Sequence, residues 1–390
     1  MPPPLQGIRI VDLAGYIAGA YTSSLLADLG AQVDKVESFE GDAFRGIVAG
    51  FQAWNRGKRG IVLNLRTTEG KKALYRMVGR ADVVVENYRH GVAQRLGADY
   101  ETLREVNPRI IYCTVTAYGT RGPFAGVPGF DPLFQAQSGA MAYQAGPDNP
   151  PVFLRVAISD YAASLLAAWG IVLALYHRRR TGQGQRVETC LMNSVVAVQA
   201  GEFLFQNGSP WTSPRAAGEP AFPGQALGVD STHRLYRTLD AWLYLACDTP
   251  AQWQRLCVAL DRSDLAPLWP EDGQVQEEAI AAALASILTQ NTADHWIRLM
   301  READLKAAPL VTTQELARSA ELKAWGLSFE VESPEYGQLR QGAPPFAFSD
   351  TPPAVQRPAP MLGQHTEEIL QELGYSSDQV RSLRQGRVIP

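Results

Sequence analysis

Between residues 8 and 119, short apolar β runs alternate with amphipathic helical stretches, and this alternation restricts the fold more than any other feature of the chain. Residues 8–12, 32–37, 59–65, 82–86 and 109–115 read as strands, with helices expected over 19–29, 68–78 and 100–106. Strands separated by helices pair in parallel and are covered by helices on both faces. The expected class is therefore α/β, a doubly wound parallel sheet whose ligands sit beyond the carboxyl ends of the strands.

Residues 161–176, YAASLLAAWGIVLALY, form the most apolar run, but it has only 16 residues, and a bilayer span needs about 20. Asp160 precedes it, His177, Arg178, Arg179 and Arg180 follow, and the pattern predicts a capped helix buried nearly all round. A strand over 185–189 and a helix over 191–206 come next. Residues 207–232 are rich in Pro, Gly, Ser and Ala without apolar periodicity, and read as a linker. A second unit then opens with strands over 235–239 and 242–246, joined through Asp240 and Ala241. Helices follow from Ala251 and over 276–289 and 293–302. A hairpin-like stretch covers 327–349, and two helices, 366–373 and 377–384, end the chain.

A length of 390 residues suits two or three domains. With 36 Lys and Arg against 40 Asp and Glu, the net charge of −4 leaves no broad basic field to recruit nucleic acid or an anionic membrane, and neither is expected as a partner. Any anionic ligand must then meet local cations. The start, MPPPLQG, lacks the basic-then-apolar pattern of a secretion signal, so a cytoplasmic location is expected. Cys113, Cys190, Cys247 and Cys257 are too widely spaced for a CxxC pair, and the five histidines stand singly. Reduced thiols are expected, and no metal site or prosthetic group.

Four places in the sequence have residues suited to chemistry. The first βα turn, DLAGYIAGAY, lacks GxGxxG, which argues against a dinucleotide. Its small residues Ala18, Gly19 and Ala20 either admit a ligand to the helix start or serve turn packing alone. Arg56, Lys58, Arg59, Arg66, Arg89 and Arg95 lie around strand ends; they read either as phosphate ligands or as ordinary solvated charge. Asp160 stands at the start of the apolar helix, where it reads as an N-cap kept ionised by amide donors and the helix dipole. An ionised, partly desolvated carboxylate there is also a competent nucleophile toward a thioester. Asp131, in PGFDP, reads as a capping or acid/base residue in a turn. No GxSxG elbow is present, so a serine hydrolase lacks its signature.

Six ordered blocks carry a resemblance to a known family. They are LADLGAQVDKVE (26–37), NRGKRGIVLNLRTTEGK (55–71), ADVVVENYRHGVAQRLG (81–97), NPRIIYCTVTAYGTRGP (107–123), RRRTGQGQRVETCLMNS (178–194) and MLGQHTEEILQELG (361–374). Through them the chain resembles the class III coenzyme A transferases, the family of formyl-CoA transferase, carnitine CoA-transferase and α-methylacyl-CoA racemase. The resemblance implies a Rossmann-like large domain over 1–208, a linker over 209–232, a smaller α+β domain over 233–326 and a return segment over 327–390. It also implies two subunits threaded through each other as an interlocked, ring-like homodimer.

Residue by residue, the resemblance puts the nucleophile at Asp160. It places Ile17, Ala18 and Gly19 along the pantetheine arm, Leu65 and Arg66 beside the adenine and phosphates, Asn87, Tyr88 and Arg89 in the loop after the acidic end of the strand read over 82–86, Arg95 at a phosphate or adenine, and Asp131 near the thioester. It implies an acyl-CoA donor and a carboxylic-acid acceptor as substrates. The racemase branch has histidine where Phe130 stands, so α-proton exchange lacks a base. The formyl branch has glutamine, proline and arginine where Ile17, Ala20 and Ser38 stand, and a glycine run where this chain has 223–228, PGQALG. The expected activity is transfer of CoA between acids, with racemisation or non-catalytic CoA binding as alternatives. Tyr16, Ile17, Phe130 and Phe134 would suit an apolar or aromatic acyl group better than oxalate.

Overall fold

The computed structural model describes residues 1–142, 144, 149–210, 227–269 and 274–390. It divides into two units. The first comprises residues 1–140, 153–200 and 321–390, and the second 141–152 and 201–320.

The first unit is built on six parallel strands: β1 (Arg9–Asp12), β2 (Gln32–Glu37), β3 (Lys58–Val62), β4 (Val83–Glu86), β5 (Ile111–Thr116) and β6 (Arg186–Cys190). Their spatial order is β3-β2-β1-β4-β5-β6, and every neighbouring pair is parallel. The order reverses direction between β1 and β4, the switch point at which a crevice opens beyond the strand ends. Helices α1 (Ala18–Asp28), α2 (Val48–Trp54), α3 (Thr68–Val78), α4 (Val92–Leu96), α5 (Tyr100–Val106), α6 (Asp131–Gln137), α7 (Ile158–Thr181) and α8 (Leu191–Ala197) fill the crossovers and their flanks.

Side-chain alternation along the strands gives each sheet face its own core. Ile10, Val33, Val83, Val85 and Ile111 meet α1 and α7 on one face. Val11, Val36, Ile61 and Val84 meet α3, α5 and the chain's last two helices on the other.

In the second unit, β7 (Phe205–Gln206) and β8 (Ser209–Pro210) form a small ladder. β9 (Gly228–Asp230), β10 (His233–Arg237), β11 (Trp242–Ala246) and β12 (Lys306–Pro309) make an antiparallel sheet in the order β12-β11-β10-β9. Helices α9 (Pro250–Ala259), α10 (Gln274–Leu288) and α11 (Ala293–Glu302) supply its core with Trp253, Leu284 and Trp296, and α12 (Thr313–Arg318) follows. The chain then returns to the first unit through α13 (Ala320–Ala324), the hairpin β13 (Ser328–Ser333) and β14 (Gly337–Gly342), α14 (Thr366–Glu372) and α15 (Ser377–Gln385).

The return segment sheathes the edge strand β3. The backbone N–H of Gly57 donates to Arg357, that of His365 to Gly60, and that of Asn64 to Val388. Arg59, nearly buried, bonds Asp34, Glu368 and Glu372 together. An edge strand is thereby closed to foreign pairing.

The structure corrects three expectations. The helix read over 191–206 stops at Ala197, where Gln199 turns back to bond Val195 O and Ser138 Oγ and Gly201 lowers helix propensity. β9 lies inside the stretch read as linker, most of which falls outside the described residues. The apolar helix α7 is not buried all round. Ala163, Ala167, Ile171 and Ala174 pack on the core, whereas Leu165, Trp169, Leu173 and Tyr176 are exposed along one face. By length and composition alone α7 is long enough to cross a membrane, but its small-residue face is packed against α1 and the sheet.

Candidate active site

The turn that follows β1 is held in place by a buried ionic network. Asp12 is fully buried; its Oδ2 accepts from Lys58 Nζ at 2.7 Å and from Ser23 Oγ at 2.7 Å, and its Oδ1 from the Ala14 N–H at 2.9 Å. Lys58 also donates to Asn55 Oδ1 and to the Ala20 carbonyl. Beside it, buried Lys35 donates to the Ala14 carbonyl at 2.6 Å and to Asp42 Oδ2 at 3.0 Å. Burial works against the Lys35 ammonium, but Asp12, Asp42 and Glu37 outweigh it and hold its pKa above the usual value. For Lys58 burial prevails over Asp12, and its pKa falls to about 8.

Across the switch point, Asn87 after β4 grips Gly15 at both ends, accepting from its N–H at 2.9 Å and donating to its carbonyl at 2.8 Å. Asp42 Oδ1 accepts from the Tyr16 N–H at 3.3 Å and from Phe44 N at 2.9 Å. Between these clamps Tyr16 adopts φ 58°, the left-handed region, which costs a non-glycine residue about 1–3 kcal/mol. A Cβ on Gly19 would lie 2.4 Å from Ala14 Cβ and 3.1 Å from Asn87 Cγ, so only glycine lets the start of α1 come this close.

Helix α7 brings Asp160 to the same place. Ser164 Oγ donates to the Asp160 carbonyl at 2.8 Å and to the Ala18 carbonyl at 2.9 Å, stitching the first turn of α7 to that of α1. Asp160 does not cap its helix. Ala157 is the N-cap and makes no side-chain bond, while Asp160 sits in the first turn. The capping carboxylate is Asp131, the first residue of α6, whose Oδ1 accepts from the Ser159 N–H at 2.8 Å and from Ser159 Oγ at 2.5 Å. Gln135, fully buried one turn along α6, bonds Asp131 and also the Leu154 and Val156 carbonyls, fixing the segment that leads into α7.

Asp160, half-buried and beside a second carboxylate, is therefore not held ionised by amide donors. Burial first, and then the Asp131 charge, push its pKa up to about 7. A carboxylate with that pKa is more basic than an ordinary aspartate and ionised in about half of the molecules at neutral pH.

The six strand-end cations divide into two groups. Arg56, Lys58 and Arg59 are buried and paired with Asp28, Asp12 and Asp34, which corrects the reading of them as solvated charge or phosphate ligands. Arg66, after β3, and Arg89 and Arg95, after β4, are exposed and form no salt bridge among the described residues. They stand at the carboxyl end of the sheet, the end at which ligands of doubly wound sheets generally bind.

The other expected site residues fall in different places. Ile17, Ala18 and Gly19 are buried at the start of α1. Leu65 is buried in the second core, and Tyr88 packs against that core with its N–H on Glu86, so neither side chain points to solvent. Phe134 is fully buried against Tyr118 and does not line the site, whereas Phe130 is exposed. Residues 223–226 of the loop noted for lacking a glycine run lie outside the described residues. Sequence reasoning missed Lys35, Asp42, Gln135, Ser159 and Ser164. The i, i+4 spacing of Asp131 and Gln135 was one legible signal.

Known proteins are similar to this chain over nearly its whole length. The succinate–glutarate CoA-transferase of Agrobacterium fabrum is 33% identical over 390 residues, covering 95% of this chain and 96% of that protein. The succinyl-CoA:mesaconate CoA-transferase of Haloarcula marismortui is 33% identical, with 95% and 96% covered. A crystal structure of a CAIB/BAIF family protein from Brucella suis superposes with a TM-score of 0.82 at 30% identity, covering 96% of this chain and all of that one. The profile of CoA-transferase family III matches residues 5–366, and the chain belongs to that family.

Proposed function

We propose that this enzyme moves CoA from an acyl-CoA thioester to a carboxylic acid through covalent intermediates on Asp160. The observation that carries the reading is the position of Asp160. It is a half-buried carboxylate of raised pKa, stitched through Ser164 to the helix start that closes on the switch point.

An Asp160 oxygen attacks the thioester carbonyl, the C–S bond breaks, and the CoA thiolate leaves a mixed aspartyl–acyl anhydride. The thiolate attacks the aspartyl carbonyl, the anhydride C–O bond breaks, and the donor acid departs, leaving an aspartyl–CoA thioester. The acceptor carboxylate displaces the thiolate to form a second anhydride; the thiolate then attacks the acceptor's acyl carbon and frees Asp160. No proton is gained or lost over the cycle, so the site needs an ionised, basic carboxylate and no general acid. Backbone N–H groups at the starts of α1 and α7 would meet the tetrahedral oxyanions.

In this reading Arg66, Arg89 and Arg95 take the phosphates of CoA, and the pantetheine arm runs along Ile17, Ala18 and Gly19 beside Asn87. Asp131 and Gln135 position the nucleophile. Leu65 and Tyr88 contribute packing beneath the loops instead of direct contacts. We also propose the interlocked homodimer, assembled from a large domain over 1–208 and 327–390 and a small one over 233–326. The exposed apolar face of α7 supports a covered surface of this kind. A cytoplasmic location agrees with substrates of this class. Phe130 in the place of a catalytic histidine disfavours racemisation.

The test is peptide mass spectrometry after rapid quenching with a panel of acyl-CoA thioesters. A CoA-sized, hydroxylamine-sensitive adduct on the Asp160 peptide, absent in Asp160→Ala while CoA still binds, is the expected result. Retained transfer in Asp160→Ala would overturn the assignment.

A further inference from the structure

A band of five aromatic rings joins the first βα turn to the residue after Asp160. The Tyr16 ring meets Phe44 edge-on with centroids 5.0 Å apart, and Phe44 lies 5.6 Å from Trp54. The Trp54 indole N–H donates to the Tyr161 hydroxyl at 3.1 Å, and Tyr161 meets Tyr21 edge-on at 5.6 Å. The band is neither core nor ordinary surface: Tyr16 is 53% exposed, and the other four rings are half-buried.

Two features distinguish the band from incidental clustering. Its outermost ring sits on a left-handed backbone that tyrosine disfavours, held there by Asn87 through Gly15 and by the buried Lys35–Asp42 pair. Strain retained by a dedicated network marks a position where geometry serves function. Four cations close to the band in the chain are also already engaged: Lys35 with Asp42, Arg45 with Glu37, Arg56 with Asp28 and Lys58 with Asp12. A second carboxylate on the acyl group would find these four positive charges already committed.

Building on the transferase reading above, we infer that Tyr16, Phe44 and Trp54 form the acyl shelf of the site, selecting monocarboxylic acids with an aromatic or branched apolar body over dicarboxylic acids. A thioester whose sulfur lies between Ala18 and Asp160 has Tyr16 on one side and Tyr161 on the other. The acyl body then lies along rings whose faces and edges favour apolar and aromatic contact. The preference is set against relatives whose names specify succinate, glutarate and mesaconate.

The test ranks kcat/KM for aryl, branched aliphatic, short straight-chain and dicarboxylic acyl-CoA donors in the intact protein. Mass spectrometry of the Asp160 peptide runs on each, and Tyr16→Gly and Tyr16→Phe are measured in parallel. Glycine suits the φ of 58° and removes the ring; phenylalanine keeps it. The wild type is expected to prefer aryl or branched donors over dicarboxylic ones by at least about tenfold. Tyr16→Gly should flatten that ranking about tenfold while melting like the wild type, and Tyr16→Phe should preserve it. Preference for dicarboxylic donors, served by a cation such as the exposed Arg155 upstream of α7, would overturn the shelf, as would an unchanged ranking in Tyr16→Gly. In both of those cases the adduct on Asp160 still forms. Absence of an adduct with every donor would instead overturn the transferase reading.

Discussion

Two groups of buried charge lie within one site and are arranged in opposite ways. Beneath the first turn, Asp12, Asp42, Lys35 and Lys58 are matched two against two, the lysines donating to backbone carbonyls and the carboxylates accepting from backbone N–H groups. At the start of α7, Asp131 and Asp160 lie close enough to repel, and burial first, then like charge, raise Asp160 to a pKa of about 7. The matched cluster fixes backbone even though burial brings Lys58 down to a pKa of about 8, whereas the unmatched pair keeps one carboxylate basic, as the proposed nucleophile requires. The contrast teaches that burial shifts a pKa in both groups, and that only the unmatched pair leaves a carboxylate without a counterion.

The contrast can be tested, beginning with its largest consequence. Lys58→Met strands Asp12 without its counterion, and truncating one partner of a buried pair costs about 3–5 kcal/mol. A urea titration at pH 7 should show that loss, and a midpoint within error of the wild type would mean that the network holds nothing. Next, Asp160→Asn should stabilise the protein at pH 8 by about 1–3 kcal/mol, in the same molecule that loses transfer. The folded pKa of about 7 against an ordinary 3.8 sets a ceiling of about 4 kcal/mol, reduced by solvent screening and relaxation. The folded protein binds this proton more tightly than the unfolded chain, so stability falls as pH rises from about 4 to about 7. The gain should be complete above pH 7 and vanish near pH 4; a pH-independent difference would refute it. The smallest effect belongs to Asp131→Asn, which keeps an acceptor for Ser159 but removes the charge. Transfer should require ionised Asp160, so kcat/KM should rise with pH through about 7 in the wild type and through a lower midpoint in the variant. An unmoved midpoint would leave burial as the sole cause.

The sheet was legible because parallel strands buried on both faces appear as unbroken apolar runs such as 83–85, and β4 and β5 fall where those runs predict. Other features depended on contacts that spacing along the chain does not encode. Arg59 reads as a surface cation until Glu372, 313 residues away, is folded against it. Asp160 reads as a helix cap until Asp131, from another helix, takes over the Ser159 N–H. The open face of α7 was invisible because Leu165 and Trp169 are as apolar as the residues packed beneath them, and hydrophobicity alone does not say which face is covered.

The sheathing of β3 by the last stretch of chain has a consequence for biosynthesis. When β3 has left the ribosome, residues 357–388, which bond its edge and its arginine, have not yet been made. The nascent first unit therefore carries an open strand edge, and an Arg59 paired with Asp34 alone, throughout synthesis of the entire second unit. It can close only when the final helices emerge. For that interval the polypeptide is a template for intermolecular pairing. The hazard is set by translation time and not by the stability of the finished enzyme, and a chain stalled before α14 would be released with its sheet still open.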